Sequence, residues 1–153
     1  MSLRIDYTQA SPAGIKALGH VYGFVTQCGL ETRLVDLVYL RISQINGCAY
    51  CLDMHTRALI KEGVAVEKLA LLQAWSEAGK LFDEREQAAL AWAESVTQVA
   101  STGVPDSDFQ AAKQLFNEKE LVDLTIAIGL MNAYNRLAIS FRNPPEAARV
   151  AEQ

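Results

Sequence analysis

The sequence predicts an all-α domain, and three observations carry that reading. Apolar residues recur at helical spacing along the chain, and Ser, Asp, Asn, Pro and Gly stand where helices must open and close. Alternating β-branched runs joined by hairpin turns are absent, apart from an ambiguous start over Leu3 to Tyr7. The chain has 153 residues, half of them apolar, which fits one domain over residues 1–153 with a core of ordinary size.

Ser11 and Pro12 form an N-cap and first-turn pair. Ile15, Leu18, Val21, Tyr22 and Val25 then make an apolar stripe that Gly29 ends. Thr32 to Ile45 carries Leu34, Leu37, Val38, Leu40, Arg41 and Ile45, and Asn46-Gly47 stops it, because both residues tolerate a left-handed turn. A third helix should begin around Cys48 and run to Lys61 or Glu62, with Gly63 as its stop. Ala65 to Trp75 reads as a short helix, and Asp83 with Glu86 as a capping arrangement opening a long one through Ala100. Asp106 caps a segment to Phe116. Asn117 with Glu120 opens the last helix, which carries Leu121, Leu124, Ile128, Met131, Asn132 and Asn135 until Asn143-Pro144-Pro145 ends it. Gly79 and the stretch Ser101 to Pro105 read as hinges, too short for domain linkers. Leu34-Val35-Asp36-Leu37 returns as Leu121-Val122-Asp123-Leu124, and four residues of likeness read as two amphipathic helices reaching one solution.

A net charge of −4 without a dense Lys/Arg cluster argues against a nucleic-acid partner. No apolar run approaches the roughly 18 residues of a membrane span, and the N-terminus lacks a signal architecture, so a cytoplasmic protein is expected. In that reducing compartment a cysteine pair serves catalysis, redox exchange or metal binding sooner than permanent cross-linking.

Two of the three cysteines fall in Asn46-Gly47-Cys48-Ala49-Tyr50-Cys51-Leu52-Asp53-Met54-His55. Residues three apart on a helix have β-carbons roughly 5–6 Å apart, so Cys48 and Cys51 can approach disulfide geometry by a local adjustment. The first helical turn offers unpaired N–H groups and the positive dipole end, which stabilise a thiolate. His55 lies one turn beyond Cys51, where imidazole could take a thiol proton directly or through water. Cys51 is therefore the candidate nucleophile, and Cys48 would resolve the sulfenate that peroxide leaves on it.

Three other readings compete. A thioredoxin-like fold needs flanking strands, and these flanks are helical. A closed zinc site needs four ligands, so His20 or Asp36 would have to join the two thiols and the imidazole. Two buried thiols and a core histidine would serve packing alone. Neither a metal nor a cofactor is expected. Cys28 lies outside the motif.

The residues resemble the alkylhydroperoxidase D-like (AhpD-like) branch of the carboxymuconolactone decarboxylase superfamily. The signature is Ser43 to Cys51 followed by Asp53-Met54-His55-Thr56. The likeness continues through Glu84-Arg85-Glu86, Ala91-Trp92-Ala93-Glu94 and Leu121-Val122-Asp123-Leu124 to Asn132, Asn135 and Arg136. The resemblance implies an all-helical fold, a homo-oligomer (trimer or hexamer), a small hydroperoxide substrate and a thiol/disulfide electron donor protein. It also implies a peroxidatic Cys51, a resolving and partner-facing Cys48, and a proton relay through His55. The family's relay glutamate, twelve residues before the first cysteine, is here Asp36. Aspartate reaches roughly 1.5 Å less far, so either a water bridges the gap or the relay is weaker. Glu94 is a substitute carboxylate. Tyr50, Leu52 and Met54 are expected as wall or core residues. Asn132, Asn135 and Arg136 read either as site lining or as a polar helix face, outside the catalytic set.

Overall fold

A computed structural model describes residues 2–151, with side chains described for 2–148. Among the described residues there are helices and turns and no strand. Of the ambiguous stretch Leu3 to Tyr7 only Tyr7 is helical: the Asp6 carboxylate accepts the N–H groups of Thr8 and Gln9 and opens the short α1, Tyr7–Ala10. Pro12 opens α2, Pro12–Val25, at the position where its missing N–H costs nothing. Its predicted stripe is only half-buried: Val25 is enclosed, while Tyr22 is 45% exposed.

The centre of the molecule is α3, Thr32–Asn46, which buries Leu34, Val35, Leu37, Val38, Tyr39, Leu40, Ile42 and Ser43 on almost every face. A helix enclosed all round must be surrounded. Here α3 packs on α4, Ala49–Lys61, and on two helices further along the chain. Each large apolar side chain so buried contributes roughly 1.5–3 kcal/mol. After Gly63 come α5, Val66–Ala70, and two 3-10 segments, Leu72–Glu77 and Gly79–Leu81. The single helix expected over Ala65 to Trp75 is divided, and a further break falls at Ala74, with φ −121° and ψ 32°. These turns cover a second apolar cluster built from Leu37, Leu40, Leu59, Leu72, Phe82 and Leu90.

The Asp83–Glu86 capping box opens α6, Glu84–Thr97. It stops short of Ala100 because Gln98 leaves helical geometry; α7, Val99–Thr102, then runs to the left-handed Gly103. In α8, Asp106–Leu115, the cap is Pro105, and Asp106 is the first helical residue instead. The Asn117–Glu120 box opens α9, Glu118–Phe141, whose inner face buries Leu121, Leu124, Ile128, Met131 and Asn135. Helices α6 and α9 complete the shell around α3.

Two features at the end of α9 differ from expectation. The helix terminates at Arg142, in left-handed geometry with φ 57° and ψ 49°, before the prolines are reached. Beyond them lies α10, Glu146–Ala151, which the sequence reading did not anticipate. The Ala147 N–H donates to Asp53 Oδ2 at 3.0 Å, tying this segment back to α4.

Candidate functional site

The site starts from the turn between α3 and α4. Gly47 has φ 69° and ψ 35°, its N–H donates to the Gln44 carbonyl, and the Cys48 N–H donates to the Ser43 carbonyl at 3.0 Å. This paired closure ends α3 at a residue without a Cβ. It leaves Cys48 extended as the N-cap of α4, with its sulfur accepting the Cys51 N–H at 3.4 Å. Thiols replace the usual hydroxyl or carboxylate at this helix start.

The two sulfurs lie 2.8 Å apart and share a hydrogen, and both cysteines are free thiols. The distance exceeds the about 2.05 Å of a disulfide bond. Both residues are almost fully buried, yet they differ in two respects. Cys48 lines an open cavity of about 450 Å³ between the α3–α4 turn, the end of α9 and the prolines, and Cys51 is not among its lining residues. The second difference is electrostatic. The hydrogen supplied by Cys51 lowers the Cys48 pKa to about 7; backbone N–H groups of Cys51 and Tyr50 and the Asn135 amide assist, against the cost of burial. Cys51 is pushed upward, because it gives its hydrogen to Cys48, is buried and faces the charge forming there.

On the next turn of α4, His55 is buried. Its Nδ1 lies 3.2 Å from Asp36 Oδ1, on α3. Asp36 therefore reaches the ring directly, with no gap for a water to span. An ionised carboxylate can only accept, so Nδ1 carries the hydrogen, and in a neutral ring the lone pair is then on Nε2. That Nε2 is buried with no hydrogen-bond partner among the described residues. Tyr39 packs its ring against the imidazole at 5.2 Å between centroids and fixes its tilt. Glu94 is engaged elsewhere, accepting from Arg41 Nε at 2.7 Å and from Trp75 Nε1 at 2.8 Å.

Asn135, Ser43, Asn46 and Asn132 are parts of the site that the motif reading left outside the catalytic set. Asn46 Nδ2 donates to the side-chain oxygens of both Asn132 and Asn135 at 2.9 Å. That fixes the Asn135 amide with its nitrogen toward Ser43 Oγ, at 3.1 Å, and toward the two sulfurs, where it favours the thiolate form of each. Arg136 braces the same array from outside through the Asn132 carbonyl. The signal available in the sequence was the set of amides on the inner face of α9, at Asn132 and Asn135; what it lacked was the partner across 89 residues, Asn46. Of the expected wall residues, Tyr50 lines the cavity, Leu52 packs on the second apolar cluster, and Met54 is exposed. Cys28 lies away from the motif, its thiol donating to the Val25 carbonyl. Among the described residues no group of three or more His, Cys, Asp or Glu is arranged to hold a metal ion.

A helical shell around α3, with a free CxxC pair at the start of the following helix and an imidazole–carboxylate pair one turn on, defines an AhpD-like thiol-bearing domain. The family model of the carboxymuconolactone decarboxylases matches residues 12–95, and the chain belongs to that family. Among curated proteins it is similar to YdfG of Bacillus subtilis, an uncharacterized protein, at 33% identity over 94% of this chain and 97% of YdfG. Among solved structures it is similar to a protein of unknown function from Agrobacterium tumefaciens, provisionally linked to antioxidant defence as AhpD. That pair shares 39% identity with a TM-score of 0.90, over 94% of this chain and 98% of the other. The fold is also that of the debrominase Bmp8, at a TM-score of 0.78 and 19% identity over 94% of this chain and 77% of Bmp8. The family is thus an enzyme family whose fold carries more than one chemistry. No helix among the described residues is long and apolar enough to cross a membrane.

Proposed function

We propose that the protein is a thiol-dependent alkylhydroperoxidase of the cytoplasm. The observation that carries this reading is the close thiol pair, with Cys48 both in the cavity wall and lowered to about 7. In the proposed reaction the Cys48 thiolate attacks the outer oxygen of a hydroperoxide, ROOH. The O–O bond breaks, RO⁻ leaves and is protonated to the alcohol, and Cys48 becomes a sulfenic acid. Cys51 then attacks that sulfur, the S–O bond breaks, and water leaves as the disulfide forms. Two electrons have passed from the dithiol to the hydroperoxide, and an external dithiol protein restores the pair.

Cys51 needs a base for its step, since its own environment opposes ionisation. His55 Nε2, oriented through Nδ1 by Asp36, is the base we assign to it. This order inverts the roles implied by the resemblance. The inverse order, with Cys51 attacking first, is favoured by the position of His55 one turn beyond it.

The test is stopped-flow mixing of reduced protein with a small alkyl hydroperoxide, with a sulfenate trap present. Cys48→Ser should abolish fast thiol loss, while Cys51→Ser should leave a trapped sulfenate on Cys48. The opposite pattern makes Cys51 the attacker. Hydroperoxide consumption that survives both substitutions sinks the peroxidase reading. A second reading, an adaptor passing electrons to a separate peroxidase, is favoured by the open approach to Cys48. It predicts slow direct turnover and a mixed disulfide on Cys48 when Cys51 is replaced.

A further inference from the structure

The cavity in front of Cys48 has a composition that points to its ligand. Leu3, Tyr50, Ile139, Pro144 and Pro145 give it apolar walls, and Leu3 and Ile139 remain 42% and 43% exposed along it. Large apolar side chains left open to water beside a reactive thiol mark a surface suited to an apolar occupant. Among the described lining residues one side chain, that of Arg142, is charged, and none is acidic. Arg142 forms no ion pair with any described residue.

The backbone adds a second, independent observation. Arg142 closes α9 as Gly47 closes α3: its N–H donates to the Ile139 carbonyl and the next N–H, of Asn143, to the Ala138 carbonyl. Such an ending asks for φ near +60°, and both residues have it. Glycine adopts that geometry freely and stands at Gly47; arginine adopts it only at a cost in strain. Both closures border the cavity, and the strained one holds the cation there.

We propose that the cavity selects amphipathic hydroperoxides bearing a carboxylate, such as hydroperoxy fatty acids, with Arg142 pairing the carboxylate and the apolar walls holding the chain against Cys48. This rests on the peroxidase reading of the same site. The hydroperoxide is reduced to the hydroxy acid and water by the two electrons of the dithiol, as written above.

The test compares linoleic acid hydroperoxide with its methyl ester, both below their aggregation concentrations, at pH 8 and low salt. Wild-type protein should lose thiol about fivefold faster with the acid, the factor expected of one part-exposed ion pair, and added salt should narrow the difference. Arg142→Lys should keep most of the preference. Arg142→Gly relaxes the backbone, so its melting temperature should hold or rise while the preference disappears. A purely structural Arg142 would let the glycine variant keep it.

A binding readout separates this inference from the reaction. The corresponding hydroxy acid should protect Cys48 from alkylation at lower concentration than its methyl ester. Equal protection, or a preference that survives Arg142→Gly, overturns the inference. Failure of every hydroperoxide to oxidise the thiols, with selective protection intact, overturns the peroxidase reading alone.

Discussion

The difference between the two thiols yields a prediction whose size follows from the structure. Cys48 is lowered from an ordinary 9.0 to about 7, and the leading cause is the hydrogen given by Cys51. Two pKa units correspond to about 3 kcal/mol favouring the thiolate form. Cys51→Ala removes the leading cause, so the Cys48 titration should rise by more than one unit; Cys51→Ser, which keeps a hydroxyl donor, should raise it less. The assay is ultraviolet thiolate absorbance against pH, with alkylation rate as a second readout, in a Cys28→Ser background. Below about pH 7 the alkylation rate of Cys48 should fall tenfold per unit.

The same shift has a stability consequence. A thiol whose folded pKa lies below its unfolded value stabilises the fold fully above the unfolded value and loses that contribution as pH falls through the folded one. The reduced protein should therefore gain on the order of 3 kcal/mol against denaturant between about pH 7 and 9, and Cys51→Ala should flatten the rise. An unmoved Cys48 titration in Cys51→Ala refutes the reasoning. So does a low titration that persists in Cys48→Ser.

Four other substitutions probe the surroundings, and one probes assembly. Asn135→Leu should destabilise the protein by roughly 1–3 kcal/mol, because the half-buried Asn46 loses one of its two acceptors and the buried Ser43 loses the Asn135 amide, and should raise the Cys48 titration. Denaturant titration and thiolate absorbance read the two effects separately. His55→Ala and Asp36→Asn should slow disulfide closure after sulfenate formation while leaving the Cys48 titration in place, as seen in two-phase stopped-flow traces. Glu86→Ala should cost on the order of 3 kcal/mol, since it removes half of the α6 capping box and unpairs Lys68, with thiol reactivity unchanged. If copies associate through α8 and α9, Ile126→Glu should lower the mass found by light scattering, because Phe109, Val122 and Ile126 are exposed there.

The long helices were legible because their signals are local. Asn46-Gly47, Asp83 with Glu86, and Asn117 with Glu120 place caps within a few residues of what they satisfy. The misread segments depend on longer-range or subtler geometry. α10 follows two prolines and is tied by a bond from Ala147 to Asp53, 94 residues away. The end of α9 sits on an arginine in a conformation that sequence reading reserves for glycine or asparagine. At the site, spacing alone brought Cys48, Cys51 and His55 to one helix start. The Asp36 contact crosses two helices, and the Asn46–Asn135 bond crosses most of the chain. No local pattern encodes either pairing.

The short reach of Asp36 looked from the sequence like the weak point of the relay, and the structure moves the problem elsewhere. Asp36 meets Nδ1 directly, and Nε2 is left buried without a hydrogen-bond partner among the described residues, where in a neutral ring it carries the lone pair. Cys48 has little use for that lone pair, since hydrogen bonds at the N-cap already hold its thiolate. Cys51 has every use for it: it lies outside the cavity lining, donates its hydrogen to its neighbour, and is pushed above the ordinary thiol range. In the proposed reaction, once Cys48 has become a neutral sulfenic acid, the charge that held the proton on Cys51 is gone, and burial remains as the opposing influence. At that stage His55, one turn on along α4, is the base we assign to release the second thiolate. In the proposed reaction, two like residues three positions apart thus take different roles from three asymmetries: the N-cap position, the cavity face and the neighbouring imidazole.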